Sequence, residues 1–158
     1  IANGGYKIYP KIIVDDEKKS YPDDKFIALC KNPKNIKIIQ DAMFGSTNEV
    51  MGTSYRSRIN DPKYQFAGKT GTAQVKKITE KDRELDLKTF QIPYEERDHA
   101  LYVAFGPYKN PRYALSILVE HGGNGSTTAA PMAKELFKLI IDRHSLRESV
   151  YNKRYLEI

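Results

Sequence analysis

The chain has a single cysteine, no tryptophan and no long apolar run. With Cys30 alone no internal disulfide can form, and cysteine usage leaves the redox compartment open. No stretch approaches the ~18 consecutive apolar residues of a membrane-spanning helix, and none has the pattern of a secretory leader. Both exclusions hold for these 158 residues only. Histidine is equally scarce. His99, His121 and His144 share no metal-ligand spacing with one another or with Cys30, so no metal and no other cofactor is expected. The one glycine-rich run, His121-Gly122-Gly123-Asn124-Gly125-Ser126, lacks the lysine and the spacing of a phosphate-binding loop. It reads as a plain loop leading into a helix. There is no internal repeat, no low-complexity segment and no DNA- or RNA-recognition motif, so no nucleic-acid partner is expected.

Charge is abundant. The 26 Lys and Arg outnumber the 20 Asp and Glu, giving a net charge of +6 and a pI near 9.2. Such an excess favours polyanions: nucleic acid, anionic lipid or acidic cell-wall polymer. The lysines are scattered, however, and alternate with acids in Asp15-Asp16-Glu17-Lys18-Lys19, which is the pattern of a solvated surface. The length suffices for one domain with a sizeable core. Ile1-Ala2-Asn3-Gly4-Gly5 reads as the end of a helix meeting a glycine cap, with no cap residue opening a new element. The expectation is a fragment of a longer chain.

Hydrophobic periodicity orders the rest. Residues 6–14 read as an extended segment interrupted by Pro10, hence an edge or irregular strand, and 15–25 as an exposed loop. Helical spacing of Ile36, Ile39 and Met43 predicts a helix over 33–44, ended by Gly45-Ser46. A connection over 48–64 leads to a strand over about 65–76. The charged run 76–96 reads as an exposed excursion with a short helical turn. The nearly continuous apolar run His99–Phe105 fits a central strand covered on both faces. Gly106–Pro111 is a turn by composition, and the next strand, Arg112–Glu120, makes an antiparallel hairpin with it. Ala133, Leu136, Phe137, Ile140 and Ile141 recur at helical spacing behind Pro131, predicting an amphipathic helix. The expected fold class is α+β: an antiparallel sheet with a C-terminal helix packed on it. Residues 1–144 are expected to form the folded portion and 145–158 a peripheral tail.

The chemistry concentrates in Phe66-Ala67-Gly68-Lys69-Thr70-Gly71-Thr72-Ala73-Gln74-Val75. Lys69 brings a positive charge, Thr70 and Thr72 bring hydroxyls, and Gly71 lets a substrate approach the backbone. Together these suit the capture of a peptide carboxylate beside a strand edge. On the residues alone, the preferred reading of Lys69 is a solvated strand-end lysine. A Ser-His-Asp triad can be written on paper from Ser116, His121 and Asp98, but Ser116 is mid-strand without nucleophile-elbow glycines.

The K-T-G triplet is one of three signatures shared by penicillin-binding proteins and class A β-lactamases. The stretches Ala67–Gln74, Asp98–Pro107 and Tyr113–Gly123 together resemble the C-terminal end of a penicillin-binding protein 2 transpeptidase domain, the class B, elongation-type D,D-transpeptidase. The resemblance covers most of the chain and is weakest over 15–32, 76–97 and beyond 143. It implies part of a β-lactamase/transpeptidase-like fold. It also implies a parent enzyme, anchored at the periplasmic face of the bacterial inner membrane with elongation-machinery proteins, that cross-links peptidoglycan stem peptides and is acylated by β-lactams. By the same resemblance Lys69 and Thr72 are catalytic, and Thr70, Gly71 and Thr72 bind substrate. Lys69 would support the electrostatics and proton relay. Thr70 and Thr72 would hold the substrate or β-lactam carboxylate, and the Thr72 N–H would be an oxyanion donor.

The other two signatures are not placed as the family has them. No serine here fits S-x-x-K, so the nucleophile and its lysine are missing from these residues. Ser46-Thr47-Asn48 formally fits S-x-N, but it lies too near Lys69 and reads as the polar end of the preceding helix. The expectation is that both true signatures lie upstream of Ile1 and that the chain alone is inactive. Without its upstream half the chain would expose apolar sheet and helix surface, and self-association is expected. The alternatives are a non-enzymatic module binding peptide or anionic polymer, and a hydrolase related to the serine β-lactamases.

Overall fold

The computed structural model describes residues 1–8, 27–77, 80, 85 and 87–156, with side chains described as far as residue 146. The expected loop over 15–25 lies outside the described residues, as do most of the extended segment 6–14 and the middle of the charged excursion. What is described of that extended segment pairs: Tyr6 bridges Ala28 in antiparallel fashion, with the Lys7 N–H on the Ile27 carbonyl and the Leu29 N–H on Gly5. The residues before it form a turn in which Gly4 and Gly5 both take left-handed backbone. Gly5 also lies so close to Ile36 that a Cβ there would stand 2.8 Å from its side chain.

Helix α1 runs Pro33–Asn48. Its start follows from the side chain of Asn32, which accepts the Lys34 N–H, and from Pro33 in the first turn. It continues past the expected stop at Gly45-Ser46. Thr47 Oγ1 and Asn48 Nδ2 bond back to the carbonyls of Met43 and Phe44, and the Glu49 N–H closes on Gly45, so the glycine is held inside a satisfied last turn.

Three strands follow: β1 (Ala67–Ala73), β2 (His99–Gly106) and β3 (Tyr113–Val119). They form an antiparallel sheet in the order β1-β2-β3, with Thr70 opposite Tyr102 and Tyr102 opposite Ile117. Between β1 and β2 the chain makes short 3-10 turns at Thr89–Gln91 and Tyr94–Glu96. After β3 a five-residue π-helical turn, Gly125–Ala129, leads into the last helix, α2 (Ala130–Leu156).

Strand alternation sorts the sheet into two faces. Ala100, Tyr102 and Ala104 are buried beneath Ala129, Ala130, Ala133, Phe137 and Ile141. Alanines on both sides let helix and sheet approach closely, and the space that remains is filled by aromatic rings. Phe66 stacks on Phe137 at 4.9 Å and meets Tyr102 edge-on at 6.4 Å. The buried stripe of α2 is therefore Ala130, Ala133, Phe137 and Ile141, narrower around Phe137 than the sequence predicts, because Leu136 stays exposed. α2 also crosses residue 145 without a break and reaches Leu156, through the segment expected to be a peripheral tail. The opposite face of the sheet is covered only at one end. Phe105 is buried there beside Tyr108, with Ala67 opposite it, whereas Val103 is 45% and Leu118 57% exposed, so β2 is central and its second face is covered in part.

Candidate active site

Among the described residues strand β1 lies at one edge of the sheet with β2 beside it, so alternate residues turn their backbone groups outward. Side-chain donors mark which ones. The carbonyl of Phe66 accepts from Asn48 Nδ2 at 2.9 Å, that of Gly68 from Thr47 Oγ1 at 3.5 Å, and that of Thr70 from Lys69 Nζ at 2.9 Å. Continuing the alternation directs the Thr72 N–H to the same free edge.

The strand is braced from below. A Cβ at Gly68 would stand 2.3 Å from the hydroxyl of the fully buried Tyr102, so only glycine fits there. That hydroxyl is shared with Thr47 Oγ1 at 2.9 Å and Ser54 Oγ at 3.1 Å, both buried. Burial pushes the Tyr102 phenol above its usual pKa, and the two hydroxyl contacts offset this in part. Thr47 and Ser54 come from the end of α1 and the turn after it, so the buried cluster ties α1, β1 and β2 together beneath the K-T-G run.

Above this support lies an open cavity of about 410 Å³ lined by Thr53, Lys69, Thr70, Gly71, Thr72, Asn124 and Ser126. The four positions expected from the sequence, Lys69 to Thr72, are all brought to it. Lys69 is exposed, and its ammonium donates to the carbonyl and, at 3.2 Å, to the hydroxyl of Thr70. It forms no ion pair among the described residues. Gly71 presents no side chain, and the backbone of the π-helical turn presses on this region: a Cβ at Gly125 would stand 2.8 Å from the Gly71 carbonyl. An ammonium, hydroxyls and an outward N–H along a free strand edge can bind an extended peptide that ends in a carboxylate.

The other sequence candidates are committed elsewhere. His99 Nδ1 accepts the backbone N–H of His121 at 2.9 Å, and His121 Nδ1 faces the Arg97 carbonyl at 3.1 Å. Asp98 accepts the Val75 N–H. The paper triad of Ser116, His121 and Asp98 is thus replaced by backbone contacts. Among the described residues no cluster of His, Cys, Asp and Glu could hold a metal. Ser46-Thr47-Asn48 is the last turn of α1, with Thr47 and Asn48 bonded to the backbone of the strand that leads to Lys69.

The family model for the penicillin-binding protein transpeptidase domain matches residues 1–138. The chain belongs to the penicillin-binding protein transpeptidase family. It is 36% identical over 148 residues to the peptidoglycan D,D-transpeptidase MrdA of Salmonella typhimurium, covering 90% of this chain and 23% of that protein. It is 43% identical over 79 residues to MrdA of Acinetobacter baumannii, covering 50% of this chain and 11% of the relative. The chain therefore spans about a quarter or less of the length of these relatives. Among solved structures it resembles Pseudomonas aeruginosa PBP2 in complex with WCK 5153, with a TM-score of 0.66 and 29% identity over 87% of this chain and 27% of that one. It also resembles PBP2 in complex with MreC from Helicobacter pylori, with a TM-score of 0.55 and 34% identity over 70% of this chain and 18% of that one. The α+β architecture, a sheet with the K-T-G strand at its edge and a C-terminal helix on one face, is that of penicillin-binding transpeptidases.

Sequence reasoning missed three residues that line this cavity: Thr53, Asn124 and Ser126. Thr53 sits in an unremarkable connection and reaches the site only because α1 and β1 are packed side by side. Asn124 was readable in principle, as an Asn immediately before a helix is a capping signal. Its Oδ1 accepts from the N–H and the hydroxyl of Ser126, both at 2.8 Å.

Proposed function

We propose that this chain is the K-T-G-bearing portion of a serine D,D-transpeptidase that cross-links peptidoglycan stem peptides and is acylated by β-lactams. The observation that carries the reading is the free edge of β1, where Lys69, Thr70, Gly71 and Thr72 line one cavity with the edge N–H of Thr72 beside them. In the reaction a serine oxygen attacks the carbonyl of the D-Ala-D-Ala stem, terminal D-Ala leaves with the proton, and the amine of a second stem peptide resolves the acyl-enzyme. The Thr70 and Thr72 hydroxyls bind the carboxylate of the terminal D-Ala, or that of a penicillin. The Lys69 ammonium adds charge that stabilises the oxyanion and assists proton movement, and the Thr72 N–H is one oxyanion donor. The serine and its lysine are supplied by another part of the parent protein, since S-x-x-K is absent from these residues. The parent is anchored at the periplasmic face of the inner membrane and works with elongation-machinery proteins. The MreC complex of the Helicobacter relative supports that partner class. Residues 1–144 act as part of the transpeptidase domain and 145–158 as an appended tail.

Intact-mass analysis after treatment with a penicillin tests this. The parent protein should gain one covalent adduct and the isolated 158-residue chain none. Lys69→Ala should slow adduct formation by about 100-fold or more, as expected for loss of a charge that stabilises the transition state. Absence of an adduct on the parent would overturn the reading in favour of a non-enzymatic binding module. Rapid loss of the adduct would favour a hydrolase instead.

A further inference from the structure

Thr53 occupies a position that neither the K-T-G motif nor the proposed chemistry uses. Its hydroxyl lies 3.3 Å from that of Thr70 and 3.1 Å from that of Ser46. It is also the residue that, with Lys69, lines both the cavity at the K-T-G edge and a neighbouring cavity of about 430 Å³ running along Asp41, Ser46, Glu49 and Met51. Ser46, Thr53, Thr70 and Lys69 thus form an unbroken row of polar contacts.

The direction of that row matters because a hydroxyl has one proton. The Lys69 ammonium can only donate, so Thr70 Oγ1 is an acceptor towards Lys69. Two arrangements remain. If Thr70 donates to Thr53, its proton is consumed and the hydroxyl offers an incoming carboxylate nothing but lone pairs. If Thr53 donates to Thr70, both acceptor positions of Thr70 are filled and its proton is left for the cavity. A carboxylate in the cavity selects the second arrangement, in which Ser46 donates its own proton to Thr53 and so directs the Thr53 proton towards Thr70.

We propose that Thr53 is a positioning residue for carboxylate recognition: by donating to Thr70 it fixes that side chain's rotamer and frees the Thr70 proton for the anion. This rests on the reading of Thr70 as a carboxylate donor. Its effect is exerted through Thr70.

The parent protein carrying Thr53→Val, Thr53→Ala or Thr53→Ser is treated with benzylpenicillin and, separately, with its methyl ester, which lacks the anionic carboxylate. Second-order acylation rates are read by intact mass, and thermal midpoints are recorded beside them. Val keeps the shape, Ala removes the branch, and Ser restores the hydroxyl. Val and Ala should slow acylation by the free acid about 3- to 10-fold, the worth of one neutral hydrogen bond, and should leave the ester nearly unaffected, so the acid-to-ester ratio falls. Ser should return the ratio close to that of the unsubstituted protein. An unchanged ratio in Val and Ala, or a Ser variant as impaired as Val, would overturn the role of Thr53 while leaving the transpeptidase reading intact. No acylation of the unsubstituted parent would overturn both.

Discussion

The face of the sheet beneath α2 carries Ala100, Tyr102 and Ala104, while the opposite face carries Lys69, Gly71, Leu101 and Val103. The first is closed by small side chains and stacked rings. The second leaves Val103 and Leu118 in solvent and holds the charged end of the K-T-G strand. Strand β1 belongs to both: Gly68 is pinned against Tyr102, and one residue later Lys69 is exposed. A single step of strand alternation takes the chain from a residue packed against Tyr102 to an exposed ammonium, while Thr70 and Thr72 share the face of Gly68 and reach the cavity from the strand's free edge.

Three substitutions sharpen that contrast. Phe137→Ala removes the ring stacked on Phe66 at the centre of the packed face and should cost about 3–5 kcal/mol in denaturant unfolding of the 158-residue chain. Tyr102→Phe keeps the ring and deletes the hydroxyl shared by Thr47 and Ser54. It should cost about 1–3 kcal/mol at neutral pH, because two buried hydroxyls lose a partner. Its pH dependence has a definite sign. The folded-state pKa of Tyr102 is raised by burial, so above its ordinary value of 10.0 the unfolded chain ionises first and binds fewer protons. The stability that Tyr102 contributes is complete below that pH and declines as pH rises past it. The gap between the native and Phe proteins, followed by unfolding at pH 8 to 11, should narrow. Leu118→Ala, on the open face, should change the stability of the chain by less than about 0.5 kcal/mol. A loss of 2 kcal/mol or more there would mean that this face is covered, by a second copy of the chain for instance, and sedimentation would reveal it.

Much of this arrangement was legible in the sequence, for local reasons. The hairpin follows from two apolar runs joined by Gly106-Pro107, the edge strand from K-T-G at the head of an apolar segment, and α2 from its spacing around Phe137. What was not legible depends on contacts between distant residues. The strand reading of 99–105 could not tell that the second face would be covered only at Phe105, since Leu101 and Val103 are as apolar as the residues that are buried. Gly45 looked like a helix stop because its neighbours' bonds back to Met43 and Phe44 are invisible in composition. Gly68 reads as part of a motif, and its requirement comes from a phenol 34 positions away. Thr53 and Asn124 reach the cavity from opposite ends of the chain, through α1 and the π-helical turn, and no periodicity links them to Lys69.

The glycines around the site set a boundary on inheritance. At Gly68 any side chain would strike the Tyr102 ring, and at Gly125 it would strike the Leu101 carbonyl at 2.4 Å, so neither position can drift. Between them Lys69, Thr70 and Thr72, with Thr53 alongside, have open space in front of them. A lineage under pressure to change what this edge binds has these few side chains to alter while the walls stay as they are. Its options lie in the chemistry of the edge, and the shape of the edge is fixed.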